Sequence, residues 1–272
     1  MVKTPHIDRL AARGVRFERA YVQYPVCNAS RTSFLTGLRP DQTGVTDNAT
    51  LMRDKLPDVV TFPQLLKEHG WHSAAFGKIF HLGGGRNQSL RTRWMDLPKS
   101  WHSAVAFRAT DAGSRKLAGR NLTGDKLKWC HWGMMDGDDA DQPDGQIASA
   151  VIAKIESLGD QPWIIGAGVM RPHDPFVAPA KYFEHYPAGS TKLAVEPDDR
   201  SKRVKLAIPN NRDFAKFTDR ERREFKRAYQ ACVSFADAQV GKVLATMDRL
   251  KLWDDTIVIL MGDHGYHLGE HD

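Results

Sequence analysis

The chain has 272 residues, of which 41% are hydrophobic and 26% charged, a composition suited to a globular protein with one large domain or two modest ones. No run of about 18 apolar residues occurs, so no transmembrane helix is expected, and Met1-Val2-Lys3-Thr4-Pro5 lacks the apolar stretch of a signal peptide, which leaves the compartment open. The formal charge is +6, much of it in Arg200–Arg227, where eleven Lys/Arg stand against four Asp/Glu. That segment reads as a solvated loop and helix face, or as an attraction for an anionic substrate. No nucleic-acid-binding module accompanies it, so nucleic acid is not an expected partner.

Thr4 is placed to cap a first helix, with Pro5 at its first position and Gly14 ending it. Val15 to Val22 alternates loosely and predicts a short strand. Ser30 to Leu38 looks helical, with Gly37 as its stop, and a further helix fits Val60 to His69, closed by Gly70. Trp71 to Phe76 reads as a strand. From Leu82 to Gln142 periodicity is weak, so an irregular insertion carrying substrate contacts is expected. Ile147 to Leu158 is helical, and Trp163 to Val169 is a strand of buried type. Asp219 to Leu250 predicts a long helix with Phe225, Ala228, Cys232, Phe235 and Val243 near one face. Thr256 to Met261 is a continuous apolar run, as in a parallel strand covered on both sides. Alternating helices and buried strands predict an α/β fold, a mostly parallel central sheet sandwiched between helices.

Polar residues recur where the predicted strands end, which is where open α/β sheets place ligands. Lys78 and His81 follow one strand, His173 a second, Asp263 and His264 a third. Cys27 and Arg31 are four residues apart, so a helix would set them side by side. The three cysteines, Cys27, Cys130 and Cys232, form neither a CxxC pair nor a zinc spacing, which argues against a disulfide framework and leaves one disulfide open. Asp8, Asp47 and Asp96 read as surface or capping residues. The acidic cluster Asp136–Asp144 reads as a solvated loop in preference to a cation site.

The run Cys27-Asn28-Ala29-Ser30-Arg31 through Thr36-Gly37 resembles the signature of type I sulfatases, Cys-x-(Pro/Ala)-x-Arg followed by Thr-Gly. Gly77-Lys78-Ile79-Phe80-His81, Arg171-Pro172-His173-Asp174-Pro175-Phe176 and Asp263-His264-Gly265-Tyr266-His267-Leu268-Gly269-Glu270-His271 resemble three further runs of the iduronate-2-sulfatase-like subgroup of this alkaline phosphatase superfamily. The resemblance implies that Cys27 is oxidised to formylglycine by a formylglycine-generating or an anaerobic sulfatase-maturing enzyme. The hydrated aldehyde would attack the sulfur of a sulfated carbohydrate, and the second hydroxyl would then expel sulfate. Ala29 stands where the commonest form has Pro, a departure that the anaerobic route tolerates. The resemblance further implies catalytic roles for Cys27, Arg31, Lys78, His81 and His173. It implies sulfate binding by Lys78, His173 and His264, and a divalent cation, by family habit Ca2+, at Cys27, Asp263 and His264. Because imidazole suits calcium poorly, another divalent ion stays open at His264. Family members are often exported.

Residues 1–272 are accordingly read as one sulfatase N-terminal catalytic domain. It is expected to lack the family's first strand, which ends in paired metal-binding Asp residues, and the C-terminal subdomain; a sheet without its first strand would expose an unpaired edge. Two other readings stay open: a catalytically impaired fragment that binds sulfated glycans, and a phosphate or phosphonate monoester hydrolase of the same superfamily.

Overall fold

The computed structural model describes residues 1–85, 87–195 and 216–268. Its helices are α1 (Pro5–Arg13), α2 (Cys27–Thr36), α3 (Pro40–Thr43), α4 (Met52–Lys55), α5 (Phe62–Glu68), α6 (Gln88–Trp94), α7 (Asp111–Ser114), α8 (Pro143–Leu158) and α9 (Asp219–Arg249). The strands are β1 (His72–Gly77), β2 (Ser103–Val105), β3 (Lys116–Asn121), β4 (His131–Met135), β5 (Trp163–Gly168) and β6 (Phe176–Pro179).

The central sheet has the order β2-β1-β5 and is parallel throughout. Successive side chains of a strand point to opposite faces, and β1 obeys this. Ala74 and Phe76 pack on Ile147, Val151 and Ile155 of α8. Ala75 packs on the other face with Leu35 of α2, Met52, Phe80 and Trp101. The expected sheet sandwiched between helices is therefore present. Alongside it lies a smaller sheet, β3-β4-β6, antiparallel at β3–β4 and parallel at β4–β6. Its core joins Phe176 and Trp132 to Phe225, Ala228, Cys232 and Phe235 of α9. Phe176 and Phe225 set their ring centroids 4.5 Å apart.

Several expectations need correction. Residues Leu82 to Gln142 are not irregular: they supply α6, α7 and the strands β2, β3 and β4. Their weak periodicity reflects strands of only three to six residues. Asp96 is no surface residue, since it is 4% exposed and takes two 2.7 Å bonds from Arg53. Asp47 does cap its own turn, accepting from the N–H groups of Ala49 and Thr50. Thr4 makes no capping bond to the helix backbone. The N–H groups of His6 and Ile7 donate instead to buried Asp237 of α9, at 3.1 and 2.7 Å, so a tertiary carboxylate replaces the local cap.

Val15 to Val22 and Thr256 to Met261 form no strands. Phe17 is 79% and Ile257 89% exposed. A strand exists only through a ladder partner, and among the described residues neither segment has one. The disulfide left open does not form: Cys27, Cys130 and Cys232 are each buried and none is bridged to another. Of the basic segment, Arg200 to Ala215 lies outside the described residues. Arg220 and Arg223 of its helical part pair with Glu224 and Asp219.

The acidic cluster is not a solvated loop. Asp139 is 7% exposed and accepts from the Tyr182 hydroxyl, Gln239 Nε2, Lys242 Nζ and Lys181 Nζ at 2.8 to 3.0 Å. Burial alone would raise its pKa, but the bonds from Lys181, Lys242 and Gln239 outweigh it and hold the group at about 2. A depressed carboxyl contributes stability above its unfolded value, 3.8, and loses it as the pH falls through the folded value. The Asp139→Asn variant should therefore be less stable than the parent near pH 7 by about 3 kcal/mol. In urea melts at several pH values that difference should close between about pH 4 and 2. A pH-independent difference would refute the assignment.

Candidate active site

The site forms where the parallel strands end. In the register of β1 and β5, Gly77 stands opposite Gly168, and the Lys78 N–H donates to Gly168 O at 2.9 Å. The approach leaves no room for side chains. A Cβ on Gly77, whose φ is +82°, would lie 2.4 Å from Gly168 O, and one on Gly168 would lie 2.3 Å from Lys78 N. The two glycines thus let both chains leave the sheet together, one toward Lys78 and His81, the other toward His173.

Cys27 is the first residue of α2, three residues earlier than the sequence pattern placed the helix start, and is 6% exposed. Its Sγ lies 3.1 Å from His264 Nε2, with the His173 and His81 imidazoles and the Lys78 charge close enough to act on the thiol. Burial by itself would raise the thiol, but these imidazoles and Lys78 prevail and hold Cys27 at about 2, against an ordinary 9.0. The same contacts raise the histidines. His173 sits above its ordinary value through Cys27, opposed by burial and helped by the Asp174 carbonyl. His264 is raised through Cys27 and, against burial, by the Gly265 carbonyl and the Asp263 charge. Each ring is aimed by its other nitrogen: His173 Nδ1 contacts Asp174 O at 2.7 Å, and His264 Nδ1 contacts Gly265 O at 3.3 Å. His81 meets Trp94 edge-on at 5.6 Å, and its Nδ1 is buried without a hydrogen-bond partner.

Arg31 lies on the Cys27 side of α2, but its guanidinium serves the scaffold rather than the thiol. Nε and Nη2 bind Asp263 Oδ2 at 2.9 Å each, and Nη1 binds the carbonyls of Lys78 and Ile79. Ser30 Oγ adds a 2.5 Å bond to Asp263 O. Asp263, His264 and Cys27 offer a carboxylate oxygen, an imidazole nitrogen and the sulfur within 4.8 Å of one another. The set offers a single oxygen where calcium takes six to eight, and its thiolate and imidazole suit a softer divalent ion.

The structure thus brings together Cys27, Lys78, His81, His173, Asp263 and His264, and connects Arg31 to them through Asp263. It adds residues the motif reading passed over. Asn28 ties α2 to the next loop through Asp47 O, Thr50 O and the side chain of Asn48. The Tyr266 hydroxyl donates to Asp174 Oδ1 at 2.9 Å, joining the His264 and His173 loops. Both lay inside quoted motifs, where their polar character was the available signal. The final Gly269-Glu270-His271 of the last motif lies outside the described residues.

The sulfatase family model matches residues 1–272. A sulfatase of Formosa agariphila is 32% identical, the match covering 99% of this chain and 55% of that protein. Human iduronate 2-sulfatase is 30% identical, with 100% of this chain and 52% of that protein covered. The chain spans about half the length of the curated relatives it matches. Among solved structures, a phosphonate monoester hydrolase of Agrobacterium radiobacter superposes with a TM-score of 0.75 at 18% identity, covering 99% of this chain and 59% of that one. A structure in complex with its substrate D-glucosamine-2-N,6-O-disulfate gives 0.66 at 20% identity, with 98% and 62% covered. These similarities at low identity establish the shared fold.

The thiol's electrostatics can be measured before any modification. In unmodified protein the thiolate ultraviolet absorbance lost in Cys27→Ser should persist unchanged from pH 9 down to about 5. In His264→Ala its midpoint should rise. A midpoint near the ordinary thiol value in the parent would rule out the thiolate–imidazole cluster.

Proposed function

The chain belongs to the sulfatase family, and from that premise we propose that it hydrolyses sulfate esters of a sulfated carbohydrate with a nucleophile derived from Cys27. The observation that carries the proposal is the enclosure of Cys27 by His81, His173, His264 and Lys78. One side chain at the head of a helix faces three imidazoles and a lysine. That surrounding attracts an anion and can move protons at the same point.

Formylglycine at position 27, once hydrated, would supply a hydroxyl nucleophile and a second hydroxyl for release of sulfate. His264 Nε2, 3.1 Å from the present Sγ, lies beside whatever oxygen that residue would carry. His81, just past the end of β1, lies near the same atom and suits the proton removal that precedes sulfate release. Lys78, buried to 6% exposure beside it, balances charge on the sulfate oxygens. His173, with Nδ1 committed to the Asp174 carbonyl, presents Nε2 to the leaving oxygen, and its raised pKa favours the protonated form a proton donor needs. Asp263 and His264, with an oxygen at position 27, would hold a divalent cation, calcium by family habit, which would add positive charge against the same oxygens.

Maturation constrains the order of events. Cys27 and Ala29 are 6% and 0% exposed, so a maturing enzyme would meet this segment before α2 packs. Ala29 points to the anaerobic route.

Mass spectrometry of the peptide containing Cys27, from a host with that route, should show the aldehyde. Only unmodified cysteine there would overturn the proposal. In the matured protein, His81→Ala and His173→Ala should each lower kcat on an aryl sulfate by about 10²- to 10⁴-fold. Rates on paired sulfate and phosphonate esters should favour the sulfate; the reverse preference would assign the site to phosphonate monoesters, and no turnover of either by matured protein would assign it to glycan binding.

A further inference from the structure

Asp144 belongs to the first turn of α8, where a carboxylate ordinarily caps its own helix. Here it does not. It is 1% exposed, and its oxygens accept from the backbone N–H groups of Met170 and Arg171, at 2.8 Å each. Those residues follow β5 and lead directly into His173. Burial pushes the Asp144 carboxyl above its ordinary range, against the Arg171 charge and the two backbone bonds, so the group sits there at a desolvation cost.

The same loop is held from its far side. Arg171 Nη1 donates to His173 O at 2.5 Å and to Pro175 O at 3.1 Å. The His173 N–H donates to Met170 O at 2.8 Å. The backbone of His173 is therefore fixed at its own N–H, at its own carbonyl and at the two amides that precede it. Only then does the Nδ1 contact to Asp174 O set the ring. We propose that Asp144 and Arg171 are a positioning pair for His173, in which the start of α8 fixes the loop through its amides and the guanidinium closes it through its carbonyls. The inference rests on His173 being a site residue, and not on turnover. An error of about 1 Å at such a group is worth about a hundredfold in rate, which makes the pair consequential although neither member faces Cys27.

The experiment uses the full chain, unmodified and labelled at the histidine Cε1 positions. In Asp144→Asn the isosteric amide presents an N–H where one backbone amide needs an acceptor, so the His173 cross-peak should move. His72 and His102, stacked at 5.1 Å on β1 and beside β2, lie about 17 Å back along the strand from the site, and their peaks should stay. An unmoved His173 peak in folded Asp144→Asn would overturn the proposal, as would shifts at His72 and His102 as large as that of His173. If Asp144→Asn does not fold, Arg171→Met carries the test with the same two criteria, because it leaves the Asp144 bonds intact and frees the carbonyls of His173 and Pro175. In matured protein Asp144→Asn should lower kcat at least about tenfold with KM within about twofold, and should add nothing in a His173→Ala background. Additive losses would overturn the coupling. Absence of all turnover in the parent would count against the sulfatase reading and leave the spectroscopic result standing.

Discussion

The guanidinium of Arg31 binds three stretches of chain at once: its own helix α2, the backbone just past β1 at Lys78 and Ile79, and the carboxylate of Asp263. Each of these carries part of the chemistry. α2 brings Cys27, the end of β1 brings Lys78 and His81, and the Asp263 segment brings His264. Residues Thr256 to Met261 pair with no strand among the described residues, so Asp263 cannot owe its place to a sheet. It owes it to Arg31 and to the Ser30 hydroxyl on Asp263 O. A planar donor that satisfies a carboxylate and two carbonyls together is something lysine cannot reproduce. This is why the Cys-x-Ala-x-Arg spacing matters physically. The arginine one helical turn on fixes the partners of the cysteine.

That use of Arg31 also decides the electrostatics of the site. With Asp263 neutralised by a guanidinium that is 11% exposed, the groups around residue 27 are three imidazoles and a lysine, with no free carboxylate in contact. In an enclosed region such charges are weakly screened. Cys27 responds by holding its thiolate, and the pKa values of His173 and His264 are shifted upward, toward their protonated forms. The pocket therefore favours a negative group at residue 27 and a positive one around it. That is the charge distribution a sulfate ester and an oxygen nucleophile require.

Much of this was legible in the chain itself, and the reasons are local. Cys27, Lys78, His81 and His173 sit within a few residues of a helix start or a strand end, and Asp263 and His264 follow an apolar run that reads as a strand, so short patterns located them. Pro5 and Gly37 marked helix ends for the same reason. What sequence could not show was whatever depends on a distant partner. The smaller sheet joins β4 to β6 across 40 residues of chain, and its strands carry no period that a window detects. Val15 to Val22 carried a strand-like pattern and found no partner. Asp139, Asp144 and Asp96 look alike in sequence, as acids in polar stretches. One is bound by lysines, one by backbone amides and one by Arg53.

The contrast between Asp144 and Arg31 shows how the scaffold divides its work. Arg31 joins segments that the sheet does not pair, whereas Asp144 and Arg171 refine a loop that the sheet has already placed, since Gly77 and Gly168 hold β1 and β5 in register up to the site. Register brings His173 to the same edge as Lys78 but leaves the angle of its ring undetermined, because a loop after a strand has several backbone conformations of similar energy. Four backbone contacts and one carbonyl to Nδ1 select among them. The rigid sheet thus sets where the imidazole stands, and buried Asp144 with half-buried Arg171 acts on where it points. Residues of the second kind carry no motif, which is why a reading built on motifs passes over them and a reading built on hydrogen-bond partners finds them.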